Sequence, residues 1–129
     1  MSIFEMRVKP RFCETDALGH INNTIFPIWC EAAREPIFKI FNPEQKLETW
    51  NLIVANLNVA FKAPAYFPDE MLVTTTTTRL GRSSFDLTQR IEQNSVVVAD
   101  VVTTMVYYDY DRSSSLEIPD GIRQKLMSD

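Results

Sequence analysis

The chain has 129 residues, enough for one domain with its own core, and 45% of them are hydrophobic. Eight Phe, four Tyr and two Trp exclude a disordered chain, and three Gly with seven Pro exclude a collagen-like or linker-like one. Thirteen basic against seventeen acidic side chains give 13 − 17 = −4, which disfavours nucleic acid as a partner but leaves room for a local patch facing a phosphorylated ligand.

The first element is a half-buried strand. From Phe4 to Phe12 the apolar residues alternate with Glu5, Arg7, Lys9 and Arg11. Pro10 lacks a backbone donor and marks an edge or an end. Glu14 to Asn23 reads as a loop, in which Asn22, Asn23 or Thr24 can cap the helix that follows. From Ile25 the apolar residues Ile28, Trp29, Ala32, Ala33, Ile37, Ile40 and Phe41 recur at helical spacing. Pro36 would kink or shorten this helix, because it removes the bond to the Ala32 carbonyl. Asn42-Pro43 ends it.

Four strands follow: Leu52 to Ala63, Met71 to Leu80, Ser84 to Gln93 and Ser95 to Tyr110. The threonine run Thr74 to Thr78 fits strand propensity and needs no ligand to explain it. Gly81-Arg82 is a turn signal. Asp111 to Ser115 is a loop tip, and Pro119 opens a short final helix reaching about Leu126. No βαβ alternation follows the first helix, so a parallel doubly wound sheet is disfavoured. The pattern predicts an α+β domain spanning 1–129: an antiparallel sheet curled around one long central helix.

A disulfide scaffold or zinc site finds no support. Cys13 and Cys30 are the only cysteines and His20 the only histidine. Both cysteines sit in apolar patterns and read as core. No apolar run approaches a membrane span, and the first residues lack the apolar region of a signal peptide. A cytoplasmic protein with reduced thiols is the expectation.

The chemistry concentrates in Glu14-Thr15-Asp16-Ala17-Leu18-Gly19-His20-Ile21-Asn22-Asn23. A carboxylate, an imidazole, two amides and a glycine precede a helix start, where unpaired N–H groups and the positive dipole end favour a developing oxyanion. A carboxylate there can activate water or attack a carbonyl. Each residue also has a plainer reading: Asp16 as a turn cap, His20 as a loop brace, Asn22 and Asn23 as caps. Glu31 and Arg34, three apart, read as an ion pair on one helix face, with Glu31 alternatively a second acid near the site. Arg82, Ser83 and Ser84 are either a solvated hairpin tip or contacts for a phosphorylated ligand.

The run Glu14-Thr15-Asp16, then Gly19-His20-Ile21-Asn22-Asn23, then Glu31 to Arg34, resembles the signature of hotdog-fold acyl-CoA thioesterases of the 4-hydroxybenzoyl-CoA thioesterase-like family. Phe61-Lys62-Ala63-Pro64, Gly81 to Phe85 and Ile118-Pro119 resemble later motifs of that family. Three positions depart from it: Glu14 replaces the commoner Asp, Phe26 the commoner Tyr, and Pro68-Asp69-Glu70 lacks the usual Gly-Asp turn. The resemblance implies an acyl-CoA thioesterase that yields free acid and CoA, with CoA part of the substrate and no separate cofactor or metal. It implies Asp16 as nucleophile or general base, the Asn23 N–H as carbonyl donor, His20 beside them, and Gly19, Asn22, Arg82, Ser83 and Ser84 as substrate contacts. It further implies a homodimer or homotetramer with sites at a subunit interface and sheets joined edge to edge. Three alternatives stay open: an acyl-carrier-protein thioesterase, a hydratase or dehydratase relying on His20, and a non-catalytic acyl-CoA-binding module.

Overall fold

A computed structural model describes residues 2–128. The elements are β1 (Ile3–Val8), α1 (Ile25–Ala33), α2 (Glu35–Phe41), β2 (Leu52–Phe61), β3 (Met71–Leu80), β4 (Ser84–Gln93), β5 (Val96–Asp109), β6 (Ser114–Ser115) and α3 (Asp120–Met127), with single 3₁₀ turns at Phe12–Glu14 and Leu47–Thr49. All pairings are antiparallel, in the order β1-β3-β4-β5-β2, with the short β6 on β5. β1 and β2 are therefore the edges. The sheet wraps the helices on one face, the hotdog arrangement.

Alternation sets which face each strand buries. In β3, Met71, Val73, Thr75 and Thr77 are buried while Thr74, Thr76 and Thr78 point outward, so the threonine run serves both faces. In β4 the inward set is Phe85, Leu87, Gln89, Ile91 and Gln93. Two apolar clusters fill the concave side. One gathers Phe26, Trp29 and Cys30 of α1 over Met71, Val73 and Ile91; the other gathers Ile37 and Phe41 of α2 over Phe85, Leu87, Met105, Ile118 and Leu126. Each fully buried Leu or Phe contributes about 1.5–3 kcal/mol through removal from water.

The central helix is interrupted rather than continuous. Arg34, at φ −81° and ψ −3°, separates α1 from α2, and Pro36 falls in the first turn of α2. That is the proline effect expected from the sequence: without an N–H at residue 36, the first helix ends and a second begins.

Three expectations need correction. β1 stops at Val8, before Pro10, and Phe12 projects into solvent. Cys13, in the 3₁₀ turn after it, is exposed rather than core; Cys30 is buried as expected. Burial pushes the Cys30 thiol up to about 12, against the opposing pull of Arg34, so it is an inert packing group. The Glu31–Arg34 ion pair does not form: Arg34 turns inward beneath the helix break, where its Nη1 reaches Gln89 Oε1 and Thr103 Oγ1, both at 3.4 Å. Thr75, Gln89 and Thr103 make a polar belt between the two apolar clusters, and Gln89 donates to the Cys30 carbonyl (2.8 Å) and to Thr75 Oγ1 (3.0 Å).

Candidate active site

The loop from Glu14 to Asn23 is built by its own short side chains and one glycine. Asp16 Oδ1 accepts the backbone N–H groups of Leu18 (2.8 Å) and His20 (3.1 Å), and its own N–H donates to the His20 carbonyl (2.7 Å). This is a closed Asx-type turn. Gly19 sits at φ +83°, a left-handed conformation that costs an L side chain, and no atom would meet a Cβ there. The requirement for glycine is conformational, and glycine is named in the sequence motif for that reason.

Two anchors hold the turn against the body. The Ile21 N–H donates to the Ala65 carbonyl (2.8 Å), and the Asn22 N–H donates to the Glu14 carbonyl (2.8 Å). Glu14 is itself buried. Its carboxylate accepts the Arg11 N–H (2.7 Å) and the Trp29 indole N–H (3.2 Å), tying the loop to α1. The His20 ring packs edge-on against Tyr66 with centroids 5.1 Å apart. Asn22 Oδ1 accepts the Thr24 N–H (3.0 Å) and hydroxyl (2.8 Å), an Asx turn ahead of α1, while Thr24 holds the N-cap position without a side-chain cap bond.

Asp16, His20 and Asn23 meet in one open cavity of about 360 Å³, walled by Phe26, Phe61 and the segment Lys62 to Ala65. With Oδ1 occupied by two N–H groups, Asp16 Oδ2 accepts no hydrogen bond among the described residues. The Asn23 N–H likewise has no acceptor among them. Two residues that line the same space, Asp16 and Asn23, thus each keep an unpartnered polar atom, a carboxylate oxygen and a backbone N–H. Phe26 fills the position where a tyrosine was expected, and its ring packs on Trp29 (5.6 Å) and Phe61 (5.7 Å) with no hydroxyl to spend. The Pro68-Asp69-Glu70 turn follows a cis Phe67–Pro68 peptide and is held by Gln93, which donates to the Tyr66 and Asp69 carbonyls.

Arg82, Ser83 and Ser84 lie elsewhere. They stand at the β3–β4 tip, beside the Val106 end of β5, whereas the Asp16 cavity lies beside the Phe61 end of β2, across from the start of β5. β4 runs 10 residues between the two ends, about 33 Å at ~3.3 Å per residue. Arg82 is solvent-exposed, 4.0 Å from Glu117, and its carbonyl accepts Arg123 and the Ile118 N–H. Ser84 Oγ accepts from Arg79. Within one chain this hairpin and Asp16 do not meet.

The sequence did not flag Arg34, Gln89 or Thr103 as buried polar groups. The signal for Gln89 and Thr103 existed: Gln89 lies in phase with Leu87 and Ile91, and Thr103 with Val101 and Met105, so both had to point inward. Among the described residues no cluster of His, Cys, Asp or Glu is placed to hold a metal ion, and no helix is long and apolar enough to cross a membrane.

A curled antiparallel sheet around the helices, with a carboxylate loop at the start of α1, defines the class: a hotdog-fold protein. The family model of the thioesterase-like superfamily matches residues 10–126, and the chain belongs to that superfamily and is a thioester hydrolase. It is 28% identical to the long-chain acyl-CoA thioesterase FadM of Escherichia coli over 95% of this chain and 96% of that one. Among solved structures, a predicted thioesterase from Bacillus stearothermophilus is 36% identical with a TM-score of 0.94, over 97% of this chain and 94% of the other. A Thermus thermophilus thioesterase, complexed with coenzyme A and Zn, is 30% identical with a TM-score of 0.87, over 97% and 98%.

Proposed function

We propose that this protein hydrolyses acyl-CoA thioesters to the free acid and CoA in the cytoplasm, with Asp16 as the reacting carboxylate. The observation that carries this is the pairing of Asp16 Oδ2 and the Asn23 N–H, both without partners among the described residues, across one cavity. The two backbone donors on Oδ1 orient the carboxylate.

The thioester carbonyl oxygen accepts the Asn23 N–H, which supports the oxyanion as it develops near the positive end of α1. Asp16 either attacks the carbonyl carbon or removes a proton from the attacking water. In the first route the C–S bond breaks to leave an acyl anhydride on Asp16, which water then hydrolyses to the free acid; in the second the water oxygen adds to the carbonyl carbon and the C–S bond breaks directly; in both, water supplies the hydroxyl of the acid and the proton taken up by the CoA thiolate. Gly19 gives the turn its shape, Asn22 braces Thr24 at the head of α1, and His20 walls the cavity beside Asp16. The reaction as drawn needs no separate cofactor.

The working unit in this reading is a homodimer joined through β2. That edge is unpaired within the chain and exposes Ile53, Val54, Leu57 and Phe61. Exposed apolar edges favour strand addition. Antiparallel pairing of two copies sets the Leu52 end of one β2 beside the Phe61 end of the other. It thereby turns the partner's hairpin end toward the Asp16 cavity, so Arg82, Ser83 and Ser84 of the partner subunit are the candidates for CoA contacts.

Chromatographic detection of released CoA over short, medium, long and aromatic acyl-CoAs tests this, with acyl-carrier-protein thioesters run alongside. Turnover of acyl-CoA is expected. Turnover confined to carrier-protein thioesters would reassign the substrate, and ligand binding without turnover would make the protein a binding module.

A further inference from the structure

A second cavity, of about 290 Å³, opens under the α1–α2 break. Its walls are apolar, contributed by Phe38, Trp50, Leu52, Val54 and Met105, but buried Arg34 and exposed Glu31 also line it. Arg34 is only 5% exposed. Its Nη1 has two acceptors at 3.4 Å, its buried Nε has none, and no carboxylate lies within salt-bridge distance among the described residues. A guanidinium carries five N–H donors, so most go unused. A desolvated cation without an anion is costly unless something supplies acceptors. Burial accordingly pulls the Arg34 guanidinium below its usual pKa, with Cys30 and Glu31 opposing that pull. Glu31 faces solvent at the rim, where water screens its charge.

We propose that this cavity receives the far end of the acyl group and that Arg34 selects acyl chains terminating in a carboxylate. The inference rests on the dimeric thioesterase reading above. Leu52, which lines this cavity, and Phe61, which lines the Asp16 cavity, are the two ends of β2. Antiparallel β2 pairing sets opposite ends side by side, so the Arg34 cavity of the partner subunit opens next to Asp16. At about 30 Å³ for a water in the liquid, a cavity of about 290 Å³ has room for about ten water-sized groups. A short dicarboxylyl group fits that room. Its carboxylate would meet a planar, charged donor fork in a water-poor site, where a two-bond contact is strong and directional. A methyl terminus of the same length would leave the fork unpaired.

The test compares adipoyl-CoA with hexanoyl-CoA, which match in length and differ at the far end. Wild-type kcat/KM is expected to favour adipoyl-CoA by at least about tenfold, since a site built to bond a polar group rejects the analogue lacking it. In Arg34→Met that ratio is expected to fall to one or below. If Arg34→Met does not fold, the wild-type ratio decides alone. A wild-type enzyme that turns over hexanoyl-CoA as well as or better than adipoyl-CoA overturns the inference and leaves the thioesterase reading standing. Absence of turnover for every acyl-CoA overturns both.

Discussion

Asp16 does two jobs through two oxygens. Oδ1 closes the loop by accepting Leu18 and His20, and Oδ2, without a partner among the described residues, is the oxygen left for the chemistry proposed at the cavity that Asp16 lines. Substitution separates them. Asp16→Asn keeps an acceptor at Oδ1, so the thermal midpoint should stay close to that of the wild type. Asp16→Ala removes the acceptor and should cost a further ~1–2 kcal/mol in urea unfolding. Glu14 is the second residue with a definite expectation. It is buried and accepts both the Arg11 N–H and the Trp29 indole N–H. Glu14→Ala strands those donors and should destabilise the protein by about 1–3 kcal/mol per stranded group in urea unfolding, with Glu14→Gln milder because one acceptor remains. At Gly19 the φ of +83° with empty space around it isolates the backbone effect. Gly19→Ala should cost about 1–2 kcal/mol by the same measurement, with no steric contribution.

Element by element, the fold was readable wherever period and punctuation agreed. The four later strands follow their apolar phase and turn residues closely, and Pro36 announced the split between α1 and α2. Asp16, His20 and Asn23 share a cavity as their closeness in sequence suggested. What periodicity alone left unread was pairing over distance. β2 finds β5 and β1 finds β3, contacts set by closing the sheet around the helices and not by any local pattern. Arg34 was misread because i,i+3 spacing shows which side chains can meet, whereas the turn at the helix break decides which way they point. Cys13 was misread because alternation was extended past Pro10, where the strand had already ended. The β2 edge carries its own prediction. Leu57, midway along it and 43% exposed, should tolerate lysine within one chain. Leu57→Lys should nonetheless block strand addition, giving a monomer by sedimentation and loss of CoA release. A dimer that survives this change would remove β2 as the joint.

At the scale of the molecule, two ion pairs on the outer face set an acid limit. The Arg79 guanidinium, bonded to Asp86 at 2.9 and 3.1 Å, holds that carboxyl below the usual range, with a smaller contribution from Thr104. Arg90 does the same for Asp100. A carboxyl whose pKa is depressed by folding contributes stability that is present above its unfolded value, about 3.9, and lost as pH falls through the folded value. Thermal midpoints should therefore decline below about pH 4, and Asp86→Asn with Asp100→Asn should flatten that decline. The Arg79–Asp86 pair lies toward the β3–β4 tip, whereas Asp100 stands opposite Ala60 and feels Lys62 of the cavity wall, so Asp86→Asn is the variant in which acid stability should change without a change in catalysis.

The account stands or falls on Asp16. Wild type and Asp16→Asn, assayed side by side for CoA release with their thermal midpoints recorded, test it most directly. A loss of about a thousandfold or more in kcat at an unchanged midpoint is the expected result, since the variant keeps the loop and loses the reacting oxygen. An Asn variant that releases CoA at a rate near that of the wild type would contradict it and move the chemistry to another group.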